Sequence, residues 1–242
     1  MPTPGMPITC TRFPGRVMAS EPLARLRLLQ LASPALPIGG FTYSQGLEWA
    51  VEAGWVEDVA ALNDWLVGLL DDGLARLDLP LLARLYDACE AGNPDAIARW
   101  GRHLYACRET RELRIEERNR ARALLALLRD LGITEAVEWR ESLAHCQAAP
   151  FALAAVRWGI AREDCLLGYA WGWLENQVAA AVKLVPLGQT AGQRVQLDLA
   201  DRLAAAVRRA QSVDDDGIGA GAPALAIASA RHETQYTRLF RS

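Results

Sequence analysis

The amino-acid sequence predicts an all-α fold, a single-domain bundle of roughly eight to ten helices of ordinary length. Apolar residues between Val59 and Leu77 recur at the spacing of one helix face over several turns. Residues typical of helix ends punctuate the chain, such as Gly54 after one apolar segment and the Asn93-Pro94 pair before another. No stretch alternates apolar and polar residues between hairpin turns, as paired strands would.

Composition divides the chain into three parts. Residues 1–21 are rich in Pro, Thr and Gly without periodicity, which predicts a disordered tail. Residues 22–212 carry the periodic segments and form the predicted all-helical domain. Residues 213–242 open with an Asp-Gly-rich linker and predict a flexible, partner-binding C-terminal segment. Within this domain, helices are expected at about 44–53, 134–147, 150–160, 163–185 and 189–211, among others.

Charge and hydropathy exclude several classes of function. The net charge is -3 and the pI about 5.7, which argues against a general nucleic-acid binder. The most apolar stretch, residues 165–187, contains Glu175, Asn176, Gln177 and Lys183, so we expect no membrane span. The N-terminus lacks the apolar region of a signal peptide, and we therefore expect a cytoplasmic protein.

The residues that usually carry metal or nucleophilic chemistry are scattered. The five cysteines include no CxxC pair and form neither a disulfide framework nor a zinc pattern, so buried free thiols are expected. Cys146 follows His145 directly, but adjacent helix residues point in different directions. We therefore expect no catalytic residues, no metal site and no cofactor.

The acidic pair Asp71-Asp72 leaves one enzymatic alternative open. On a leucine-rich helix, this pair superficially resembles the Mg²⁺-diphosphate motifs of helical isoprenoid synthases. Such sites need two facing acidic motifs to hold their ions, and the other acidic run, residues 214–216, lies in the linker. Solvated carboxylates are the simpler interpretation. A Mg²⁺-dependent isoprenoid-type enzyme using Asp71 and Asp72 remains the alternative function.

The loop at residues 33–49 interrupts the helical pattern with prolines, glycines and aromatic residues together. Such a mixture predicts an ordered, partly buried turn rather than a spacer. We expect buried hydrogen bonds, not catalysis, from its polar cluster between Tyr43 and Glu48. The structural motif consists of Pro37, Gly39, Gly40, Phe41, Tyr43, Ser44, Gln45, Gly46 and Glu48.

Three charged segments each allow two interpretations. Opposite charges three or four residues apart in residues 108–122 indicate a solvated, salt-bridged helix, with a basic docking face as the alternative. Lys183 is the only lysine among 26 basic residues; it either snorkels at a helix end or offers a cation to a partner. The terminal segment 230–242 mixes arginine with aromatic residues. It is either a frayed end or a segment that becomes ordered on binding a partner.

Several segments resemble the urease accessory protein UreF family. The resemblance lies in LLQLASPALPIGGFTYSQGLEWAVEAGWV (residues 28–56), AAVKLVPLGQTAGQ (residues 180–193) and HETQYTRLFRS (residues 232–242). The first and last motifs are long and unusual, and together the three span nearly the whole chain. The resemblance implies an all-helical, homodimeric, non-enzymatic maturation factor.

The same resemblance implies partners and the residues that contact them. Proteins of this family bridge UreD (also called UreH) and the GTPase UreG, and the assembly delivers nickel to apo-urease. By this resemblance, the absence of a catalytic set is expected. The residues it assigns to partner binding are Lys183, Gln189, Arg194, His232, Glu233, Tyr236, Arg238, Leu239, Phe240 and Arg241.

Overall fold

A computed structural model describes residues 20–219 and 221–242, so the tail predicted over residues 1–21 lies almost wholly outside the described residues. The described residues are helical without a β-strand, which confirms the all-α fold. The helices are α1 (Glu21–Ala32), α2 (Leu47–Glu52), α3 (Val59–Gly68), α4 (Leu79–Glu90), α5 (Pro94–Ala106), α6 (Arg111–Asp130), α7 (Glu135–Glu138), α8 (Arg140–Leu143), α9 (Ala148–Arg157), α10 (Arg162–Leu184), α11 (Gln189–Gln211) and α12 (Pro223–His232).

Side-chain caps define where several helices begin. The Asp58 carboxylate accepts a hydrogen bond from the backbone N–H of Ala61 at 2.9 Å, and the Asn93 side chain accepts one from Ala96 at 3.0 Å. Each bond satisfies one of the N–H groups that the first helical turn leaves free. Gly54, Gly92 and other glycines have positive φ after helix ends, as the sequence predicts for C-terminal caps.

A π-helical segment, Leu69–Asp78, joins α3 to α4 and was not predicted. Hydrogen bonds in a π-helix join residues five apart, whereas those in an α-helix join residues four apart. The side chains that follow the segment therefore point in different directions from those that a continuous α-helix would give. The segment begins with Leu69 and Leu70 in the core and ends with Asp78 buried. An acidic side chain is thereby placed inside the bundle.

Helix α4 lies at the centre of the bundle, packed against α5, α9, α10 and α11. Its leucines, including Leu79, Leu81, Leu82 and Leu85, are fully buried. Each buried leucine contributes roughly 1.5–3 kcal/mol relative to an exposed one. The leucine-rich sequence of this region therefore supplies the core.

Helices α10 and α11 form an antiparallel pair joined by residues 185–188, because Pro186 prevents α10 from continuing. A Cβ at Gly192 would lie 3.1 Å from Val178 and Val182, so glycine allows close approach of the two helices. Among the described residues, no helix is both long enough and apolar enough to cross a membrane.

Two boundaries differ from the predictions. The helix expected at 134–147 is divided into α7 and α8, because the backbone of Trp139 leaves helical geometry at φ -105° and ψ 20°. The helix expected at 44–53 begins only at Leu47, because Gln45 and Gly46 both have positive φ.

The segment after α11, which its composition predicts to be a flexible linker and end, makes specific contacts with the bundle. Arg84 holds it by donating to the Asp215 carboxylate at 3.0 Å and to the Val213 carbonyl at 2.6 Å. Further on, Phe240 and Ser242 are buried. Contacts to residues far away in the sequence therefore fix a segment whose composition is typical of linkers.

Candidate partner-binding site

The first loop and the C-terminal tail meet on the surface of the bundle. We call residues 39–48 and 232–242 together the loop–tail site. The Arg241 N–H donates to the Thr42 carbonyl at 2.8 Å, which brings the last residues beside the loop. Helices α6 and α10 flank the contact, and α12 packs against α2. The site thus joins the loop after α1 to the last residues of the described chain.

Glu48 is the principal anchor of the tail. Its carboxylate is buried and accepts hydrogen bonds from the backbone N–H groups of Leu239, at 2.6 Å, and Phe240, at 2.9 Å. Hydrogen bonds to an ionised acceptor are stronger than neutral ones. A single side chain of α2 therefore satisfies two consecutive amide groups of the tail.

His232 connects the same anchor to α6. The ring is fully buried, with Nε2 3.1 Å from a Glu48 oxygen and Nδ1 2.7 Å from a Glu112 oxygen. The other Glu112 oxygen accepts a hydrogen bond from Arg238 at 2.6 Å. Glu233 accepts a bond from the Glu112 N–H at 3.0 Å. The beginning of the tail is therefore fixed at the N-terminus of α6.

Ser242 holds the end of the tail in the loop. Its carbonyl oxygen accepts hydrogen bonds from the Ser44 N–H at 2.6 Å, the Ser44 hydroxyl at 2.6 Å and the Gln45 N–H at 3.0 Å. The Ser242 hydroxyl donates to Glu116 of α6 at 2.9 Å. These bonds confirm the prediction that the cluster between Tyr43 and Glu48 forms buried hydrogen bonds.

Gln45 is the one non-glycine residue with positive φ among the described residues, at 53°. Its amide donates to Glu116 at 3.0 Å and accepts from Trp173 at 3.1 Å and from Gln177 at 3.2 Å. Such backbone geometry persists where surrounding contacts over-determine it. Gln45 therefore ties the loop to α6 and α10 while its backbone binds Ser242.

Gly46 provides a test of how tightly the site is built. It has φ 80°, and an added Cβ would lie 3.0 Å from the Ser229 nitrogen and 3.1 Å from the Ala228 Cβ. We expect Gly46→Ala to destabilise the protein by about 1–3 kcal/mol in urea denaturation, from strain plus crowding. Gly39→Ala is the matched control, since Gly39 has φ 72° and no atom within 4 Å of the added Cβ. An equal loss of stability in both variants would show that crowding of the added Cβ at Gly46 does not contribute.

The outer surface of the site is apolar and basic. Tyr236 is 102% exposed, Leu239 65% and Phe41 60%, although the neighbouring tail backbone is fixed. Arg238 and Arg241 are exposed between them. The Lys183 ammonium lies 5.5 Å from the centroid of the buried Phe240 ring, within the range of a cation–π interaction. Exposed rings and cations on an ordered backbone suit a protein-binding surface.

The remaining residues predicted from the sequence lie in or around the loop–tail site. Pro37 is exposed, and Gly39 and Gly40 are half-buried in the loop. The Tyr43 carbonyl accepts a hydrogen bond from Asn176 at 3.0 Å. Gln189 and Arg194 are exposed at the start of α11, and no contact of theirs with the tail is present among the described residues. The structure thus brings Lys183 to the tail but leaves these two apart from it.

A buried ion-pair cluster lies beneath the loop, and sequence reasoning missed it. The Arg108 guanidinium donates to Asp78 and to Glu117, the latter at 2.6 and 2.9 Å. Glu117 also accepts the Gln147 N–H at 2.9 Å. Burial raises the pKa of Asp78 despite the neighbouring guanidinium. Alternating charges in residues 108–122 predicted a solvated helix, but Glu116, Glu117 and the two arginines at 108 and 120 face the interior.

The cluster borders a cavity of about 100 Å³ that the first loop covers. The lining includes Asp78, Glu116, Glu117, Arg108 and Arg120, with apolar loop residues on the other side. A polar cavity of this size has room for a few water molecules. The loop therefore covers a charged cavity with room for water, as well as contacting the tail.

The structure gives no support to the isoprenoid-type alternative. Asp71 pairs with Arg209, and with Arg202 at 3.6 Å, while Asp78 is committed to Arg108. In the part of the chain that the structure describes, no group of three or more potential ligands could hold a metal ion. Burial raises the pKa of the Cys89 thiol to about 12, which leaves it a poor nucleophile.

Comparison with known proteins decides the family. The UreF family model matches residues 56–200, which is more than half of the chain. The chain belongs to the UreF family. Curated proteins named urease accessory protein UreF match outside those bounds as well. The protein of Pseudomonas putida strain W619 is 56% identical over 220 residues, covering 91% of this chain and 98% of its own.

Two further UreF relatives give the same result. The Alcanivorax borkumensis protein is 52% identical, with 90% of this chain and 98% of the relative covered. The Escherichia coli O157:H7 protein, strain EC4115, is 52% identical, with 91% and 99% covered. The resemblance seen in the three sequence motifs is thereby confirmed, since UreF proteins match nearly the full described chain.

Proposed function

We propose that the chain is a urease maturation factor that bridges UreD (UreH) and the GTPase UreG and regulates GTP-dependent nickel delivery to apo-urease. Membership of the UreF family supports the role in urease maturation. The observation that carries the binding role is the loop–tail site, where Tyr236 and Leu239 are exposed on a backbone held by Glu48. In this proposal, the chain acts in the cytoplasm as a chaperone, without catalytic residues of its own.

A docked tail makes this surface well suited to binding. A segment that orders only on binding loses conformational entropy at that moment, which lowers its affinity. Here the hydrogen bonds of Glu48 and Ser242 have already fixed the backbone. Tyr236, Leu239 and Arg238 could then contribute most of their interaction energy to a partner, as exposed aromatic and arginine residues do in interfaces.

Co-elution with purified UreD and UreG tests the proposed function. We expect the full chain to form a complex with both proteins, and a strain without its gene to fail to assemble active urease. A chain that forms no such complex, together with normal urease activity in the deletion strain, would contradict the proposal.

Removal of Tyr236–Ser242 tests the tail itself. We expect at least about tenfold weaker complex formation, because the exposed aromatic and arginine side chains are lost with it. Helical content in far-UV circular dichroism should be unchanged, since these residues lie beyond α12. Substitution of Glu57, which is exposed outside the loop–tail site, by alanine is the control and should bind as the full chain does. Wild-type affinity after truncation would reject the tail as a partner surface.

Homodimer formation belongs to the same proposal, and α1 offers a surface for it. Leu23, Leu26 and Leu29 are 44%, 62% and 68% exposed along this helix. A stripe of exposed leucines is costly in water and is typical of interfaces. We expect Leu26→Glu to shift the protein to monomer in size-exclusion chromatography with light scattering. Leu197→Glu is the control, because Leu197 is 74% exposed on α11. An unchanged dimer in the Leu26 variant would exclude this helix.

A further inference from the structure

The exposed side of α5 and α6 carries arginines that have no acidic partner. Arg111, Arg118 and Arg122 follow one another on α6 at helical spacing, and Arg102 is exposed on α5. We call these four residues the arginine face. In the described part of the chain, none of them forms an ion pair with a carboxylate, although the chain as a whole is negative at -3. These four arginines therefore place unpaired positive charge side by side on α5 and α6 of a net acidic protein.

Contacts between elements show that the face is continuous. The Arg118 guanidinium stacks over the Tyr105 ring of α5, 4.3 Å from its centroid. An added Cβ at Gly101 would lie 3.2 Å from the Cβ of His145, which places His145 against α5. The pKa of His145 is lowered, chiefly by burial and further by Arg102 and Arg118. Three basic side chains from different elements thus converge on one surface.

The arrangement is favourable for binding because part of it is already ordered. Stacking on Tyr105 holds the Arg118 side chain, which reduces the entropy lost when a ligand binds it. Exposed Ile115, at 39%, lies between Arg111 and Arg118 on the same helix. Arg122 also lines an adjoining groove, whose other charged residues are Arg129, Arg140, Glu138 and Glu141.

We infer that the arginine face is a second docking surface, separate from the loop–tail site, and that it binds a carboxylate-rich segment of a partner protein. Guanidinium groups pair with carboxylates through two parallel hydrogen bonds. The span from Arg111 to Arg122 is about 16 Å at the rise of an α-helix, so a partner segment of a few helical turns would match it. The apolar Ile115 and the Tyr105 ring suit a protein chain better than a phosphate backbone.

Binding to fluorescent poly-L-glutamate tests this inference with the full chain and without any urease protein. We expect binding at low salt that weakens as salt is added, and roughly tenfold weaker binding for the double variant Arg102→Glu/Arg118→Glu. The matched control is Arg76→Glu/Arg208→Glu, which changes the net charge equally at exposed arginines elsewhere. Circular dichroism should show that both variants are folded, and the control should retain wild-type binding.

Three results would overturn the inference. One is wild-type binding of poly-L-glutamate by the Arg102/Arg118 variant, and another is an equal loss in the control variant. The third is binding of single-stranded DNA or of phosphatidylglycerol vesicles that is as tight as that of poly-L-glutamate and equally sensitive to the two substitutions. That result would assign the face to nucleic acid or membrane instead.

Discussion

Replacing Arg108 by alanine is expected to destabilise the protein by about 3–5 kcal/mol, the cost typical of removing one partner from a buried ion pair. The substitution leaves the Asp78 and Glu117 carboxylates without the guanidinium that both contact. Both carboxylates are buried, so water cannot replace the lost charge fully. The free energy of unfolding in urea measures the effect.

Arg118→Ala is the control for this substitution. It removes the same side chain from an exposed position in α6, where the guanidinium only stacks on Tyr105. We expect a loss of no more than about 1 kcal/mol there. Comparable losses in the two variants would show that the cluster of Arg108 does not stabilise the bundle as its burial implies.

Replacing Glu48 by alanine is expected to release the tail while leaving the helices folded. The variant loses the acceptor for the Leu239 and Phe240 N–H groups and one contact of His232, and hydrogen bonds to a charged group contribute about 1.5–3 kcal/mol each. We expect faster hydrogen exchange at these two amides. Complex formation with UreD and UreG should weaken at least tenfold, because the surface must then be ordered on binding.

Glu57→Ala provides the comparison for Glu48. Glu57 is an exposed glutamate in the turn before α3, and its removal changes the net charge equally. We expect the exchange rates and the affinity to match those of the unsubstituted chain. Slow exchange at Leu239 and Phe240 in the Glu48 variant would mean that other contacts suffice to hold the tail.

Local patterns in the sequence were enough to predict the helical fold. The 3.6-residue spacing after Val59 and the caps at Asn93 and Gly54 depend on neighbours within a few positions, and each appears in the structure. The π-helical segment Leu69–Asp78 was not predicted, because its residues keep an apolar pattern that also fits an α-helix.

The loop was predicted more accurately than the tail for a physical reason. Prolines and glycines fix the loop locally, whereas the tail is fixed by Glu48, which lies 191 and 192 positions before the two amides it binds. Nothing within the sequence of the tail indicates that acceptor. The same reason explains Arg108, whose partner Asp78 lies 30 positions away on another element.

A double-mutant cycle on complex formation with UreD and UreG tests most directly whether the docked tail is the partner surface. Affinities are measured for the full chain, Glu48→Ala, the chain lacking Tyr236–Ser242, and the two changes combined. If Glu48 acts by holding the tail, the combined variant should bind no more weakly than the truncated chain. Additive losses, or a truncated chain with full affinity, would contradict this account of the loop–tail site.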